Sequence, residues 1–388
     1  MAQTSATPES AGVVTSARKA DHLRINLEDD VTAKGVSTGF EAYRFMHCAL
    51  PEIDLADVST ATTVLGWRLS SPLFISCMTG GTETARRINC VLAETAEELG
   101  IALGLGSARV LLERPEAATS FAVRDLAPSI PLFANLGAVQ LNRGVTSDDC
   151  RRLVEMLGAD ALVLHLNPLQ EALQPEGDTC FAGLLSRIEC VAAALDVPVV
   201  VKEVGWGIAA DLVTALLDAG VAAVDVAGAG GTSWSEVERH RLGDSHAARA
   251  AAAFAGWGIP TAVALTQARA AAPEAVIFAS GGIRSGLDVA IAAALGADLI
   301  GVAGPFLRAA VQGTQTCVDL ASEWVEVLRI AMFSTGSADL ASLRSSGRLV
   351  RDDGGSVLGA ADGVALLTSL IETLSDLRGI QVTRAARL

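Results

Sequence analysis

The stretch VIFASGGIRSGLDVAIAAALGADLIGVAGP, residues 276–305, is the clearest sign of how the chain folds. Residues 276–279 and 299–302 are short apolar runs, and each is followed by glycine, at Gly281-Gly282 and at Gly304. The residues between the runs have the apolar spacing of a helix. The pattern predicts a β-α-β unit with a glycine turn after each strand. Such turns allow backbone N–H groups to bind a phosphate, although two ordinary β-α turns would give the same pattern.

The composition favours an α/β protein with a large core. The 388 residues are 51% hydrophobic but only 4% aromatic, and they include 37 glycines. A core of Ala, Val, Leu and Ile suits parallel strands that are buried on both faces. The length predicts two or three domains, or one α/β barrel with extensions, since such a barrel can use about 250 residues as a single domain.

Strands and helices alternate regularly from Pro72 onward. Eight apolar runs are each followed by small or polar residues, and they cover residues 73–77, 102–105, 131–134, 161–164, 199–201, 223–226, 276–279 and 299–302. Helical patterns such as those of 83–99 and 147–157 lie between them. Strands that alternate with helices form a parallel sheet, and eight in succession favour closure into a (β/α)8 TIM barrel.

The predicted barrel covers residues 72–310 and carries N-terminal and C-terminal extensions. Residues 1–17 lack the basic start and apolar core of a signal peptide and are expected to be a disordered leader. Residues 18–71 do not follow the barrel repeat and are predicted to cover one end of the barrel. Residues 311–388 are predicted to be a helical extension for packing or subunit contacts. The insertion at 233–258 is long for a β-α loop and is expected to act as a lid.

Charge and cysteine content restrict the partners and the compartment. A formal charge of −15 and a pI near 4.8 disfavour nucleic acid or an anionic membrane, since both require a basic surface. An anionic small molecule would need a local basic pocket. The seven cysteines show no C-x-x-C spacing, which disfavours a disulfide framework or zinc knuckle and favours a reduced, cytoplasmic location. The apolar tracts are broken by Gly and Asp, so no transmembrane helix is predicted.

Polar residues at the carboxyl ends of the predicted strands are the candidates for chemistry. These ends meet around one opening in a barrel, which brings together Thr79, Ser107, Arg109, Asn135, His165, Lys202 and Thr232. Lys202 ends a strand core, where a buried amine needs an anionic ligand or an ion pair with Glu203 or Asp225. His165 is either a functional imidazole or a hydrogen-bonded core histidine. Convergence with two phosphate-type turns favours function for both.

A short loop after the fourth strand offers ligands for a metal. It contains His165, Asn167, Gln170 and Glu171. Mg²⁺ usually takes one or two carboxylates together with waters and substrate phosphate oxygens. Glu171 would therefore bind Mg²⁺ in the presence of a diphosphate, and would otherwise be an exposed loop acid. Motifs of P-loop NTPases, serine hydrolases and zinc proteases are absent from the sequence.

Together these residues resemble the type 2 isopentenyl diphosphate isomerase family, FMN-dependent enzymes of isoprenoid synthesis built on a (β/α)8 barrel. The matching pieces run in order along nearly the whole chain: Arg18-Lys19 with Asp21-His22, Met78 to Gly81, Asn135 to Gly137, His165 to Glu171, Val201 to Gly205, Gly228 to Trp234, Ser280 to Arg284, and Ala303-Gly304. Each piece is modestly specific, and the ordered set is highly specific.

The resemblance implies FMN and Mg²⁺ as cofactors, NADPH as the reductant and a prenyl diphosphate as the substrate. It implies that FMN is held by Met78, Thr79, Gly80, Ser107, Asn135, Lys202, Thr232, Gly281, Gly282, Ile283, Ala303 and Gly304. It places Arg18, Lys19, Ser107, Ala108, Arg109, His165 and Gln170 at the substrate, so that the segment 18–71 contributes to this site. Catalytic roles fall to His165, Gln170 and Lys202, and Glu171 binds Mg²⁺. The family usually has Gln where this chain has Ala108, so one substrate hydrogen bond must be replaced.

Other functions share part of this pattern. An FMN-dependent oxidoreductase of the hydroxy-acid oxidase type has the same barrel and phosphate turns, but it would consume an oxidisable substrate. A related isomerase would act on a different prenyl substrate. A catalytically inactive barrel kept for binding or assembly is disfavoured by the intact Lys202, His165 and Glu171. The isomerase is favoured, and the C-terminal helices predict a homo-oligomer, either a tetramer or an octamer.

Overall fold

Eight parallel strands close into a barrel in the computed structural model of the protein, which describes residues 8–352 and side chains from Arg18 onward. The strands of the described chain are β1 (Tyr43–Phe45), β2 (Thr62–Val64), β3 (Trp67–Leu69), β4 (Leu73–Ile75), β5 (Ala102–Gly104), β6 (Leu132–Gly137), β7 (Ala161–Leu166), β8 (Val199–Glu203), β9 (Ala223–Asp225), β10 (Ile277–Ser280), β11 (Leu299–Val302) and β12 (Leu349–Arg351). The barrel contains β4 to β11 in chain order, and β11 pairs with β4 to close it. All eight predicted strands and the (β/α)8 fold are confirmed.

Helices surround the barrel and follow its strands. They are α1 (Pro8–Glu28), α2 (Glu83–Leu99), α3 (Arg109–Glu113), α4 (Ser147–Leu157), α5 (Pro168–Leu173), α6 (Leu184–Ala194), α7 (Ala210–Asp218), α8 (Trp234–Leu242), α9 (His246–Ala252), α10 (Thr261–Ala271), α11 (Gly286–Ala294), α12 (Gly304–Ala310), α13 (Thr314–Phe333) and α14 (Leu340–Ser345). Local sequence sets their ends. At α4, Thr146 and Asp149 form a capping box, and Gly158 ends the helix with a φ of 57°.

Side chains inside the barrel change from apolar to polar along the strands. Alternate residues face inward because the side-chain period of a strand is two. Phe74, Phe133 and Phe278 meet in the apolar part. The Phe74 ring centroid lies 6.2 Å from that of Phe133 and 5.6 Å from that of Phe278. On three other strands the inward apolar residues are Val163, Val200 and Ala223. The next inward positions, two residues later, are His165, Lys202 and Asp225. The polar positions therefore lie at the carboxyl ends, where a barrel places its active site.

The N-terminal segment covers both ends of the barrel. The hairpin of β2 and β3 packs its apolar side chains on the amino-terminal end, where Trp67 lies 5.4 Å from the Phe133 ring. The helix α1 lies at the carboxyl end and packs against α8. Because α1 begins at Pro8, residues 8–17 are helical, which differs from the predicted disordered leader; residues 1–7 lie outside the described chain.

The C-terminal extension is helical in its described part, with one exception. α13 packs against α2 and α11, and Gly286 permits the close approach to α11, since a Cβ there would lie 2.5 Å from the Val327 Cβ. α14 follows, and then β12 pairs antiparallel with β1 near the other end of the chain. The predicted helices beyond residue 352 lie outside the described residues. No helix in the described part of the chain is long and apolar enough to cross a membrane.

Candidate active site

A pocket of about 370 Å³ opens at the carboxyl ends of the barrel strands. All seven residues predicted from the strand ends line it: Thr79, Ser107, Arg109, Asn135, His165, Lys202 and Thr232. Arg18, Lys19 and His22 from α1 complete the lining on one side. The strand order explains the convergence, because β4 to β11 bring their carboxyl ends to a single rim.

The pocket also contains the other predicted site residues, apart from Ala108. Met78, Gly80, Gln170, Glu171, Gly281, Gly282, Ile283, Ala303 and Gly304 all line it. Ala108, which was predicted to contact substrate, is fully buried and is not part of the lining. Its backbone N–H donates to the backbone oxygen of Asn135 at 2.8 Å. Its methyl group therefore belongs to the packing under the site, and its predicted contact with substrate stays a prediction.

The turns after β9 and β10 form a backbone cradle with no room for side chains. Gly282 has a φ of 76°, and a Cβ on it would lie 2.4 Å from Thr38 Cγ2 and 2.8 Å from the Gly231 nitrogen. A Cβ on Gly231 would likewise lie 2.5 Å from the Gly282 nitrogen. The two glycines therefore pack backbone against backbone. Backbone N–H groups in such a glycine cradle, followed by the N-terminus of α11, suit a phosphate.

Lys202 has no carboxylate within 4 Å in the described chain, although it is buried at 7% exposure. Its Nζ donates to the Glu203 backbone oxygen at 2.5 Å. Glu203 points elsewhere and accepts three backbone N–H bonds, from Val204, Gly205 and Trp206; burial still raises its pKa to about 7. Asp225 accepts from the Ser280 hydroxyl at 2.8 Å. The alternative of a closed ion pair with either acid is not what the structure shows, so the charge of Lys202 is available to a ligand.

His165 is a neutral imidazole, and one of its nitrogens has no hydrogen-bond partner among the described residues. Its Nδ1 lies 2.9 Å from Asn135 Oδ1, and since a carbonyl oxygen accepts, Nδ1 carries the proton. Burial, followed by the charges of Lys202 and Lys19, lowers its pKa to about 3. Nε2 is therefore an acceptor. A Cβ at Gly137 would lie 3.2 Å from this nitrogen, so glycine there leaves it open.

Two cations from α1 sit at the mouth of the pocket. Lys19 Nζ donates to the Ser107 oxygen at 2.9 Å and lies 5.7 Å from the Phe121 ring centroid. Burial, followed by the charge of Arg18, lowers the pKa of Lys19 to about 8. Arg18 donates to Gln174 Oε1 at 3.1 Å, and neither cation has a carboxylate within 4 Å in the described chain. A pocket cation without an acid partner favours an anionic ligand.

A buried carboxylate fixes α1 in place. Glu238 on α8 is fully buried, and its Oε1 lies 2.9 Å from His22 Nε2 and accepts from Gln174 Nε2 at 2.7 Å. Its Oε2 accepts from Arg241 at 2.7 Å. The insertion that was expected to be a lid therefore forms two helices, α8 and α9, and one of them anchors the segment that carries Arg18 and Lys19.

The predicted metal ligand lies in a hydrogen-bonded loop. Glu171 accepts from Asn167 Nδ2 at 2.9 Å and from the Asp178 N–H at 2.6 Å. The Asp178 carboxylate pairs with Arg143 at 2.6 Å and contacts Arg109 at 3.4 Å. No cluster of three or more His, Cys, Asp or Glu side chains suited to a metal occurs among the described residues. Any ion at Glu171 would need ligand oxygens from a bound molecule and from water.

Two arginines at the glycine turns line the pocket but were not among the predicted site residues, although Arg284 ends one of the matching pieces. Arg284 lies two residues after Gly282, lines the pocket and donates to the Gly230 backbone oxygen at 2.6 Å. Arg308 lies one turn after Gly304 on α12, and a Cβ on Gly304 would be 3.4 Å from its Nη1. A cation at i+4 after a glycine turn is the signal that would have found Arg308.

Comparison with known proteins gives the family. The family model for FMN-dependent dehydrogenases matches residues 12–166 and 178–350, which leaves 167–177 unmatched. An isopentenyl-diphosphate delta-isomerase of Synechococcus sp. is 56% identical over 332 residues, covering 86% of this chain and 95% of that one. Proteins of the same name from Nostoc sp. and Stutzerimonas stutzeri are 50% and 52% identical, covering 87% and 85% of this chain and 96% and 95% of theirs.

Solved structures agree on the fold. A mandelate oxidase variant with an FMN adduct superposes with a TM-score of 0.56 at 22% identity, covering 89% of this chain and 99% of that one. Mandelate oxidase with 3,3-difluoro-2-hydroxy-3-phenylpropionic acid gives 0.58 at 22% identity, covering 87% and 98%. At this identity the likeness extends to the barrel only. The sequence relatives are much more similar, and with them the chain belongs to the FMN-dependent isopentenyl-diphosphate delta-isomerase family.

Proposed function

We propose that the protein interconverts isopentenyl diphosphate and dimethylallyl diphosphate, with reduced FMN and Mg²⁺ in the site. One observation carries the proposal: a chain with a net charge of −15 gathers six Lys and Arg side chains around one pocket. Arg284 and Arg308 stand at the glycine turns, and Arg18, Lys19 and Arg109 come from α1 and α3. The sixth is Lys202. Two groups of cations suit two anions, a cofactor phosphate and a substrate diphosphate.

The residues present fit FMN. The cradle around Gly231 and Gly282 excludes any Cβ, as close approach of a phosphate requires, and Arg284 and Arg308 add charge beside it. Lys202, Asn135 and Thr79 line the centre of the pocket, where they would hold the ring system. The charge of Lys202 would stabilise a negative ring, because a unit pair at about 4 Å is worth about 4 kcal/mol at an effective dielectric of 20, before desolvation.

Moving a double bond by one position requires one proton to be added and another removed, with no net redox change. Bound FMN in its reduced form supplies a group that exchanges protons next to an apolar chain. Around it, Arg18, Lys19 and Arg109 would bind the diphosphate, and Glu171 would hold Mg²⁺ beside it. His165 is neutral, and its open Nε2 would accept a hydrogen bond from a bound molecule. Gln170 would orient the substrate. Positioned acid-base groups contribute about 10² to 10⁴-fold to such a rate.

Three further assignments belong to this proposal. NADPH is the reductant that brings FMN to its active form. The protein works in the cytoplasm, which is supported by its seven free thiols. It assembles as a tetramer or octamer, which is supported by the exposed apolar residues Leu287, Val311 and Ile330 on or beside α11 and α13.

The test is an anaerobic assay with FMN, NADPH, Mg²⁺ and isopentenyl diphosphate. We expect dimethylallyl diphosphate to form, the reverse reaction to occur, and both to stop without reductant, while NADPH is not consumed in step with product. A protein that binds FMN and leaves this substrate untouched would contradict the proposal. Stoichiometric turnover of a 2-hydroxy acid would instead identify an oxidoreductase of the kind that shares the barrel.

A further inference from the structure

Asn167 is a buried amide that departs from the usual role of its position. It is 3% exposed and immediately precedes α5, where an asparagine ordinarily caps the helix with its side-chain oxygen. Here it makes no such cap, and its Oδ1 has no hydrogen-bond partner in the described chain. Its Nδ2 instead donates to Gln170 Oε1 at 3.0 Å and to Glu171 Oε1 at 2.9 Å. The Asn167 side chain therefore contacts the side chains of two site residues in place of the backbone of the first helical turn.

These contacts determine which end of the Gln170 amide faces the pocket. A carboxylate only accepts hydrogen bonds, so the Asn167 atom beside Glu171 must be the donor, Nδ2. The same nitrogen has a second hydrogen directed at Gln170, so the Gln170 atom beside it must be the acceptor, Oε1. The Nε2 group of Gln170 is then turned away from Asn167. Gln170 lines the pocket, and its Nε2 has no partner in the described residues.

We propose, resting on the function proposed above, that Asn167 is a positioning residue that holds the Gln170 amide with its N–H donors toward the pocket, where they bind an anionic oxygen of the substrate. Glu171 fixes the orientation of the Asn167 amide, and Asn167 in turn fixes the orientation of the Gln170 amide. Asn167 also begins the segment 167–177, which the FMN-dependent dehydrogenase model leaves unmatched. Asn167, Gln170 and Glu171 thus lie in a segment that the general family model does not match.

The test is a double-mutant cycle on ligand affinity, with Asn167→Ala, Gln170→Ala and the double variant. Calorimetry on FMN-loaded, oxidised protein with Mg²⁺ measures binding of isopentenyl diphosphate and, separately, of inorganic pyrophosphate, so no turnover is needed. Asn142→Ala is the matched control, because Asn142 also donates twice through Nδ2, to the Cys180 and Ala182 oxygens, and lies outside the pocket. Melting temperature and FMN affinity are measured for every variant.

We expect Asn167→Ala to weaken binding about tenfold in the wild-type background and less than about twofold in the Gln170→Ala background, since coupled residues are not additive. Asn167→Asp, which presents only acceptors, reverses the Gln170 amide and gives a loss as large as Gln170→Ala. FMN affinity stays unchanged, and Asn142→Ala changes stability alone. An equal loss in both backgrounds would show that Asn167 acts through Glu171 or through the fold, and would overturn the proposal. The turnover assay of the wild type decides the proposed function independently of this cycle.

Discussion

The Nζ atom of Lys19 lies 2.9 Å from the backbone oxygen of Ser107, so a cation from the N-terminal helix reaches the loop that follows the second barrel strand. The two residues are 88 positions apart in the sequence, so no local pattern predicts this contact. It places the charge of α1 at the mouth of a pocket otherwise built by the barrel.

Binding of the diphosphate should weaken as the pH rises above about 8. The pKa of Lys19 is lowered to about 8 by burial and by Arg18, so the free protein loses this charge in alkaline solution. An anion that requires the protonated amine then binds up to about tenfold more weakly per pH unit above that pKa. The measurement is KM for isopentenyl diphosphate from about pH 7 to 9.5. Lys19→Arg, which stays charged, should remove this pH dependence, and a Lys19→Arg profile identical to the wild type would contradict the assignment.

Lys202→Ala should weaken FMN binding by about tenfold or more, because no carboxylate of the described residues lies within 4 Å of Lys202 and its charge can serve the cofactor. Titration of the protein with FMN, followed by quenching of flavin fluorescence, gives the dissociation constant. Lys34→Ala is the control, since Lys34 is an exposed lysine paired with Asp30. Equal FMN affinity in Lys202→Ala and wild type would remove Lys202 from the cofactor site.

Glu171→Gln should raise the Mg²⁺ concentration needed for half-maximal activity. The change keeps the shape and one acceptor oxygen but removes the charge that a divalent cation requires. We expect an increase of about tenfold, with FMN affinity unchanged. Glu189→Gln, on the exposed face of α6, is the control. A Mg²⁺ titration that superposes on the wild-type curve would show that Glu171 is a structural acid for Asp178 and Asn167.

Gly282→Ala should abolish FMN binding and destabilise the fold more than Gly35→Ala does. Both glycines have nearly the same φ, 76° and 74°, but nothing lies within 4 Å of a Cβ on Gly35, whereas Thr38 and Gly231 crowd Gly282. Gly35→Ala then reports the backbone strain alone, about 1–2 kcal/mol, and the excess in Gly282→Ala reports the cradle. Urea unfolding measures both. Equal losses would mean that close packing at Gly231 and Gly282 is unimportant.

The chain pattern predicted much of the site because barrel topology does most of the assembly. Once eight strands are placed, their carboxyl ends must converge, so His165, Lys202 and Thr232 could be brought together without coordinates. The pattern did not distinguish surface from packing: Ala108 follows the second strand as Ser107 does, yet its methyl group points into the core. Which of two adjacent residues faces a pocket depends on the path of the loop, and the loop is set by contacts such as that of Ala108 with Asn135.

The amino-acid sequence by itself determined the eight strands, the glycine turns and the order of the site residues, because these depend on local periodicity and on backbone freedom at glycine. The tertiary structure alone decided how α1 is anchored through Glu238, Gln174 and His22, and how Asn167 sets Gln170. These contacts join elements far apart in the chain or depend on the direction of an amide. Hydrogen bonds of this kind require distance and angle, which no spacing of residues along a chain specifies.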